Sequence, residues 1–165
     1  MRELFSFPDP VNEKAARVVA GVVLITVLVI LASGWYWLLI PLTYGFWARL
    51  LTGPTLSPLG RLAQRVIAPR LGAPEPVPGP PKRFAQGMGA AMATAALILG
   101  VVIGTHTATD VILAAFVVAA GLESIFAVCL GCRVYAQLER IGLVTPCEDC
   151  ADLNGRFVGA RRGTA

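Results

Sequence analysis

Charge is what this sequence has little of. Asp, Glu, Lys and Arg make up 15% of its 165 residues, against roughly 25% in a soluble domain. Histidine is nearly missing, and the single one, His106, cannot supply paired axial ligands to a haem. No Gly-rich phosphate loop, no G-x-S-x-G elbow and no His/Cys dyad on one helix occurs, so a nucleotide enzyme or a soluble-type hydrolase is not supported. The start of the chain also lacks the pattern of a cleavable signal peptide. Arg2, Glu3, Pro8, Asp9, Pro10, Glu13 and Lys14 all precede the first apolar run, so that run is expected to be retained as a helix.

What is present in abundance is apolar. Hydrophobic residues make up 56% of the chain and the mean hydropathy is +0.69. They fall in four blocks, at about 15–32, 35–51, 84–104 and 111–131, each near the roughly 20 residues that cross a bilayer. The expected fold is all-α: four transmembrane helices in two antiparallel hairpins, with short surface helices on the cytoplasmic side. Ser33-Gly34 allows only a tight turn between the first two blocks. Pro41 should kink the second, because it has no N–H to donate and its ring crowds the preceding turn. Trp35, Tyr36 and Trp37 at one end, and Tyr44 and Trp47 near the other, have the placement of interfacial belts. Block three is rich in Gly and Ala. Its Gly100 and Gly104 form a GxxxG pair that lets helices approach closely, within one subunit or across a homo-oligomer seam.

One domain is expected over 1–153, with a linker at 52–83, a cysteine-bearing segment at 132–153 and a flexible basic tail at 154–165. Within the linker, 59–67 alternates apolar residues with Arg61 and Arg65, the pattern of a short basic helix on a membrane surface. The proline-rich stretch 73–81 should be an extended, stiff connector. After Gly131, Val134, Leu138 and Ile141 share a helical face, and Gly142 can end that helix.

The fourteen basic residues are unevenly placed. They cluster before block one (Arg2, Lys14, Arg17), between blocks two and three (Arg49, Arg61, Arg65, Arg70, Lys82, Arg83) and after block four (Arg133, Arg140, Arg156, Arg161, Arg162). The hairpin tips carry none; their ionisable groups are His106 and Asp110. Four crossings put all three basic segments on one face, which the positive-inside rule makes cytoplasmic, with both termini there. Basic residues that flank apolar blocks serve membrane anchoring, so the partner they imply is the lipid bilayer and not nucleic acid.

Four cysteines carry the candidate chemistry, as the pairs Cys129/Cys132 and Cys147/Cys150 with fourteen residues between the pairs. The first pair is expected to close block four, where Gly131 lets the helix end or bend and where the helix dipole disfavours a thiolate. Glu148 and Asp149 make the second pair poorly nucleophilic without preventing metal binding. Three readings stand: a tetrathiolate zinc or rubredoxin-like iron site made by Cys129, Cys132, Cys147 and Cys150; thiol–disulfide or persulfide exchange through the same residues; and simple packing. A cytoplasmic position argues against a permanent structural disulfide. Glu123, six residues before Cys129 in block four, is either a proton acceptor or gate beside the thiols, or a protonated carboxyl bonded to Ser124, Thr94 or a backbone carbonyl. His106 reads as a solvated tip residue.

The layout of four helices with two cysteine pairs is similar to that of the vitamin K epoxide reductase and disulfide-bond formation families, but those enzymes work on the outer face. A closer likeness is carried by FPDPVNEKAAR at 7–17, PVPGPPKRFAQG at 76–87 and CLGCRVY at 129–135. Together these segments resemble the bacterial membrane family called domain of unknown function 4395. The resemblance implies a small four-helix protein of the bacterial inner membrane with no assigned reaction. It also implies an association with thioredoxin-like or rhodanese-like soluble proteins. The function expected is therefore a thiol redox or sulfur relay at the cytoplasmic face, using Cys129, Cys132, Cys147, Cys150 and Glu123. The alternative is a non-catalytic module whose tetracysteine zinc or iron holds a docking platform.

Overall fold

A computed structural model describes residues 10–144. Cys147, Cys150 and the basic tail at 154–165 lie outside the described residues.

Asn12 starts the first long helix: its Oδ1 accepts the Lys14 N–H at 3.1 Å, the action of an N-cap. Helix α1 (Glu13–Ser33) then runs without interruption to Gly34, whose left-handed φ of 70° lets its N–H reach the Ile30 carbonyl at 2.8 Å. A 3-10 turn at Tyr36–Leu38 leads into α2 (Leu39–Thr52). The second block is not one continuous α-helix. Pro41 occupies the first turn of α2, and the change of winding falls just ahead of it, between Leu38 and Leu39.

Ser57 caps α3 (Pro58–Leu62), its Oγ accepting the Gly60 N–H at 3.1 Å. Helical winding continues through a π turn at Ala63–Ile67 and a 3-10 turn at Ala68–Leu71. Ala63 and Ala68 are buried where this segment lies along α1, while Arg61, Arg65 and Arg70 stay exposed. The proline-rich stretch is extended only in part. Its Pro76–Val77 (β2) pairs antiparallel with Val11–Asn12 (β1), Val11 opposite Val77. Lys14 reinforces the junction, donating to the carbonyls of Leu71 (3.1 Å) and Ala73 (2.8 Å) and pairing with Glu75 at 3.4 Å.

Helix α4 (Gly79–Leu97) begins earlier than the block at 84–104 suggested, because Pro80 and Pro81 are tolerated in a first turn that needs no N–H from them. It ends in a π turn at Ile98–Ile103 and a left-handed Gly104, φ 79°. Helix α5 (His106–Phe126) likewise begins and ends about five residues before the expected 111–131. Most of the tip expected between the third and fourth blocks is helical, and His106 is the first residue of α5.

The core has α1 against α5, α2 against α4, and α4 against α5. Val27, Ile30, Leu39, Ala93, Ala96 and Leu113 have no exposed surface there. Small residues set the spacing. A Cβ on Gly89 would stand 2.3 Å from the Phe46 ring, and one on Gly100 would stand 3.0 Å from Thr109 Cγ2. Gly100 of the GxxxG pair thus seats α5 of its own chain, while Gly104 makes the turn.

Among the described residues, three segments are long and apolar enough to cross a membrane: Glu13–Ser33, Gly79–Ile103 and His106–Phe126. The fourth expected crossing is not matched at that length, because the 3-10 turn leaves α2 only 14 residues. The chain ends its helices at two poles. Tyr36, Gly100 and Asp110 meet at one, and the first turn of α1, the arginine-bearing linker and the start of α4 meet the end of α5 at the other.

Candidate thiol site

The first cysteine pair sits where α5 turns into α6 (Leu130–Arg140). Helix α5 stops at Phe126 because Ala127 takes a left-handed φ of 56°. The N–H groups of Ala127 and Val128 both donate back to the Leu122 carbonyl, a closure usually built on glycine. Arg17 from α1 supplies the cation such an end favours, donating to the carbonyls of Ser124 (3.3 Å) and Ile125 (3.3 Å).

Cys129 therefore does not close a long helix. It is the N-cap of a new one, its Sγ accepting the Cys132 N–H at 3.3 Å. This reverses the electrostatic expectation. A sulfur at a helix N-terminus faces unpaired N–H groups and the positive end of the dipole, which favour a thiolate. Gly131 also has a different role from the one expected, since it neither ends nor bends the helix. A Cβ on it would stand 2.5 Å from Ala85 Cβ and 2.7 Å from Ala85 Cα, so the absence of a side chain lets α6 press onto α4. Tyr135 continues the contact, its ring 5.6 Å from that of Phe84. The face of α6 that packs inward is Gly131, Cys132 and Tyr135. Val134 and Ile141 of the apolar stripe remain exposed.

Both sulfurs are free thiols, and the residues are only 8% (Cys129) and 7% (Cys132) exposed. Beside them lies a feature that the residue pattern alone did not single out: Lys82 of α4 donates to Glu123 Oε1 of α5 at 2.8 Å. Glu123 is thus an ion-paired carboxylate and bonds to neither Ser124 nor Thr94, whose hydroxyls donate to the carbonyls of Gly121 and Ala90. The available signal for Lys82 was its position at the mouth of block three, one turn inside a helix that begins at Gly79.

The two thiols are electrostatically unequal. The hydrogen bond from the Cys132 thiol holds Cys129 below the ordinary thiol range, and the Lys82 charge adds to that against the opposing effects of burial and Glu123. Donating the same bond, together with burial, pushes Cys132 up. Cys129 is the group suited to act as a nucleophile, and Cys132 the group suited to hold a proton beside it.

The other ionisable tip residues lie at the opposite pole. The Tyr36 hydroxyl donates to Asp110 Oδ1 at 2.9 Å, and the His106 ring stacks on Tyr36 at 4.3 Å. His106 is exposed but not simply solvated. Among the described residues, no group of three or more His, Cys, Asp or Glu side chains could hold a metal ion.

No curated protein and no solved structure matches the chain. One family model matches residues 11–140, which include both members of the Lys82–Glu123 pair and the first cysteine pair. The chain belongs to the family described as Domain of unknown function (DUF4395).

Proposed function

We propose that the protein is a multi-pass component of a bacterial inner membrane whose basic pole faces the cytoplasm. There it relays electrons or sulfur through Cys129 and Cys132, with Cys147 and Cys150 as the second couple. The observation that carries this reading is Cys129 as the N-cap of α6, with a second thiol one turn on.

In the redox form, the Cys129 thiolate attacks one sulfur of a disulfide. The S–S bond breaks, a mixed disulfide forms and the leaving thiolate takes a proton. The Cys132 sulfur, once deprotonated, then attacks Cys129 and releases the second thiol. Two electrons pass from the Cys129/Cys132 pair to the substrate disulfide, and a dithiol must reduce the pair again. Cys147/Cys150 or a soluble thioredoxin-like protein has the chemistry for that step. A rhodanese-like partner would instead deliver a persulfide sulfur to the Cys129 thiolate and depart as a thiol. Glu123, held by Lys82 and close enough for its charge to act on Cys132, is a carboxylate available to take the Cys132 proton. The low exposure of both thiols favours one other reading, a shielded tetrathiolate zinc or iron completed by Cys147 and Cys150.

Anaerobic purification separates the two. The relay predicts metal-free protein in which reducible pairs are titrated. It also predicts that Cys132→Ser accumulates a mixed disulfide between Cys129 and one sulfur of the substrate disulfide while Cys129→Ser does not. One zinc or iron per chain with thiols that resist alkylation would overturn it.

A further inference from the structure

A cavity of about 60 Å³ opens at the basic pole beside the thiol site, sharing Lys82 with it but lined by neither cysteine. Ala15 and Val19 of α1 form an apolar wall, and Gln64, Gln86, Arg49 and Lys82 supply the polar groups. The cations are unusual in their burial, Arg49 and Lys82 being 7% exposed each. Lys82 is neutralised by Glu123 at 2.8 Å, but neither ion pair among the described residues includes Arg49. Its Nε donates to Gln86 Oε1 at 3.1 Å, and its guanidinium lies 4.7 Å from the centre of the Phe46 ring. Both contacts are with neutral groups. The Glu123 carboxylate, already bonded to Lys82, also acts on Arg49 from a distance, but Arg49 has no ion pair of its own at the cavity.

A buried charge without a counter-charge is costly, and the cavity beside it is large enough for a guest. One water needs about 10–15 Å³ by this measure of volume, so the space corresponds to a few waters or one tetrahedral oxyanion. It is too small for a whole nucleotide or a peptide. A guanidinium is the cation best matched to an oxyanion, because its planar fork meets two oxygens at once. The two glutamines add neutral donors.

We propose that this cavity binds one tetrahedral oxyanion of the phosphate or sulfate type, taken either free from solution or as the phosphate of an anionic lipid headgroup. The site does not depend on the thiol reading, since neither cysteine lines it.

Thermal unfolding of the purified full chain in a neutral maltoside detergent tests this. Inorganic phosphate and sulfate are titrated in one arm; in the other, mixed micelles containing phosphatidylglycerol are compared with phosphatidylcholine. The decisive variant is Gln64→Glu, which places a carboxylate on the cavity wall and gives Arg49 an internal counter-charge without removing any cation. It is expected to fold at least as well as wild type and to weaken the anion's effect at least tenfold in apparent affinity. Saturable stabilisation by phosphate or sulfate that Gln64→Glu abolishes supports a free ion. Stabilisation only by phosphatidylglycerol, again lost in Gln64→Glu, supports a lipid headgroup. Stabilisation equal in both proteins would mean that exposed arginines bind the anion, and would overturn the proposal. So would the absence of any saturable effect in either arm.

Discussion

Position at the start of α6 separates the two cysteines chemically, Cys129 Sγ accepting the Cys132 N–H at 3.3 Å. With Cys129 accepting and Cys132 donating, one sulfur is stabilised as a thiolate and the other as a thiol. The neighbouring ion pair acts on Cys129 in opposite directions, Lys82 favouring its thiolate and Glu123 opposing it. Opposite mutational effects follow. Lys82→Met should move the pH midpoint of Cys129 alkylation upward and slow the reaction at neutral pH by about three- to tenfold. Glu123→Gln should move the midpoint downward. The sign rests on the thiolate being the reactive form, present above the folded-state pKa and lost as pH falls through it. A pH–rate profile of iodoacetamide labelling, read by peptide mass spectrometry, checks both. Equal shifts in the same direction would show that the pair acts by packing and not by charge. Lys82→Met also strands a largely buried carboxylate, and a stability loss of about 1.5–3 kcal/mol is expected for that charged contact.

At the scale of elements, α6 is placed by a single missing side chain. Gly131→Ala would put a methyl group 2.7 Å from the Ala85 Cα, where backbone must move. Overpacking of this kind costs about 1–3 kcal/mol. Unfolding of the variant in detergent should show a loss in that range, and Ala85→Gly should restore part of it by removing the methyl at 2.5 Å. A Gly131→Ala protein as stable as wild type would mean that α6 does not press on α4. The same logic governs the bundle interior, where Gly89 admits the Phe46 ring and Gly100 admits Thr109. Without a water-driven force between apolar helices inside a bilayer, such close approaches are the main source of association.

The whole molecule separates its charges by pole. Among the described residues, Lys14, Arg17, Arg49, Lys82 and the exposed linker arginines gather at the end that holds the thiols, while the Tyr36–Asp110–His106 cluster marks the other. On the proposed topology, a cysteine introduced at Trp35 or at Thr107, in a background without native cysteines, should be labelled in intact cells by a membrane-impermeant maleimide. One at Arg65 should be labelled only after permeabilisation. Labelling at Arg65 alone in intact cells would invert the orientation and move the thiols to the outer face. The shortness of α2 matters here, since four crossings require the 3-10 turn and α2 together to traverse a layer that α1 spans alone.

Much of this was legible in the residues, for identifiable reasons. Apolar blocks separated by glycine turns dictate helices whatever their packing, so the all-α class, the Gly34 turn and the closeness of the first cysteine pair to the end of the last long helix follow from local pattern. Block edges were less legible, because Pro80, Pro81 and Pro41 look like breakers until their places in first turns are known. The site's chemistry was least legible of all. Ala127 is not a residue that announces a left-handed turn, yet that turn converts Cys129 from a residue of one helix's last turn into the cap of the next. The pairing of Lys82 with Glu123 joins residues 41 positions apart and depends on how α4 packs against α5. The sequence by itself determined the helices, their apolar faces and the grouping of charge, because these follow from local composition. Only the tertiary structure decided which thiol is activated and which cations are buried, because both depend on contacts between elements far apart in the chain.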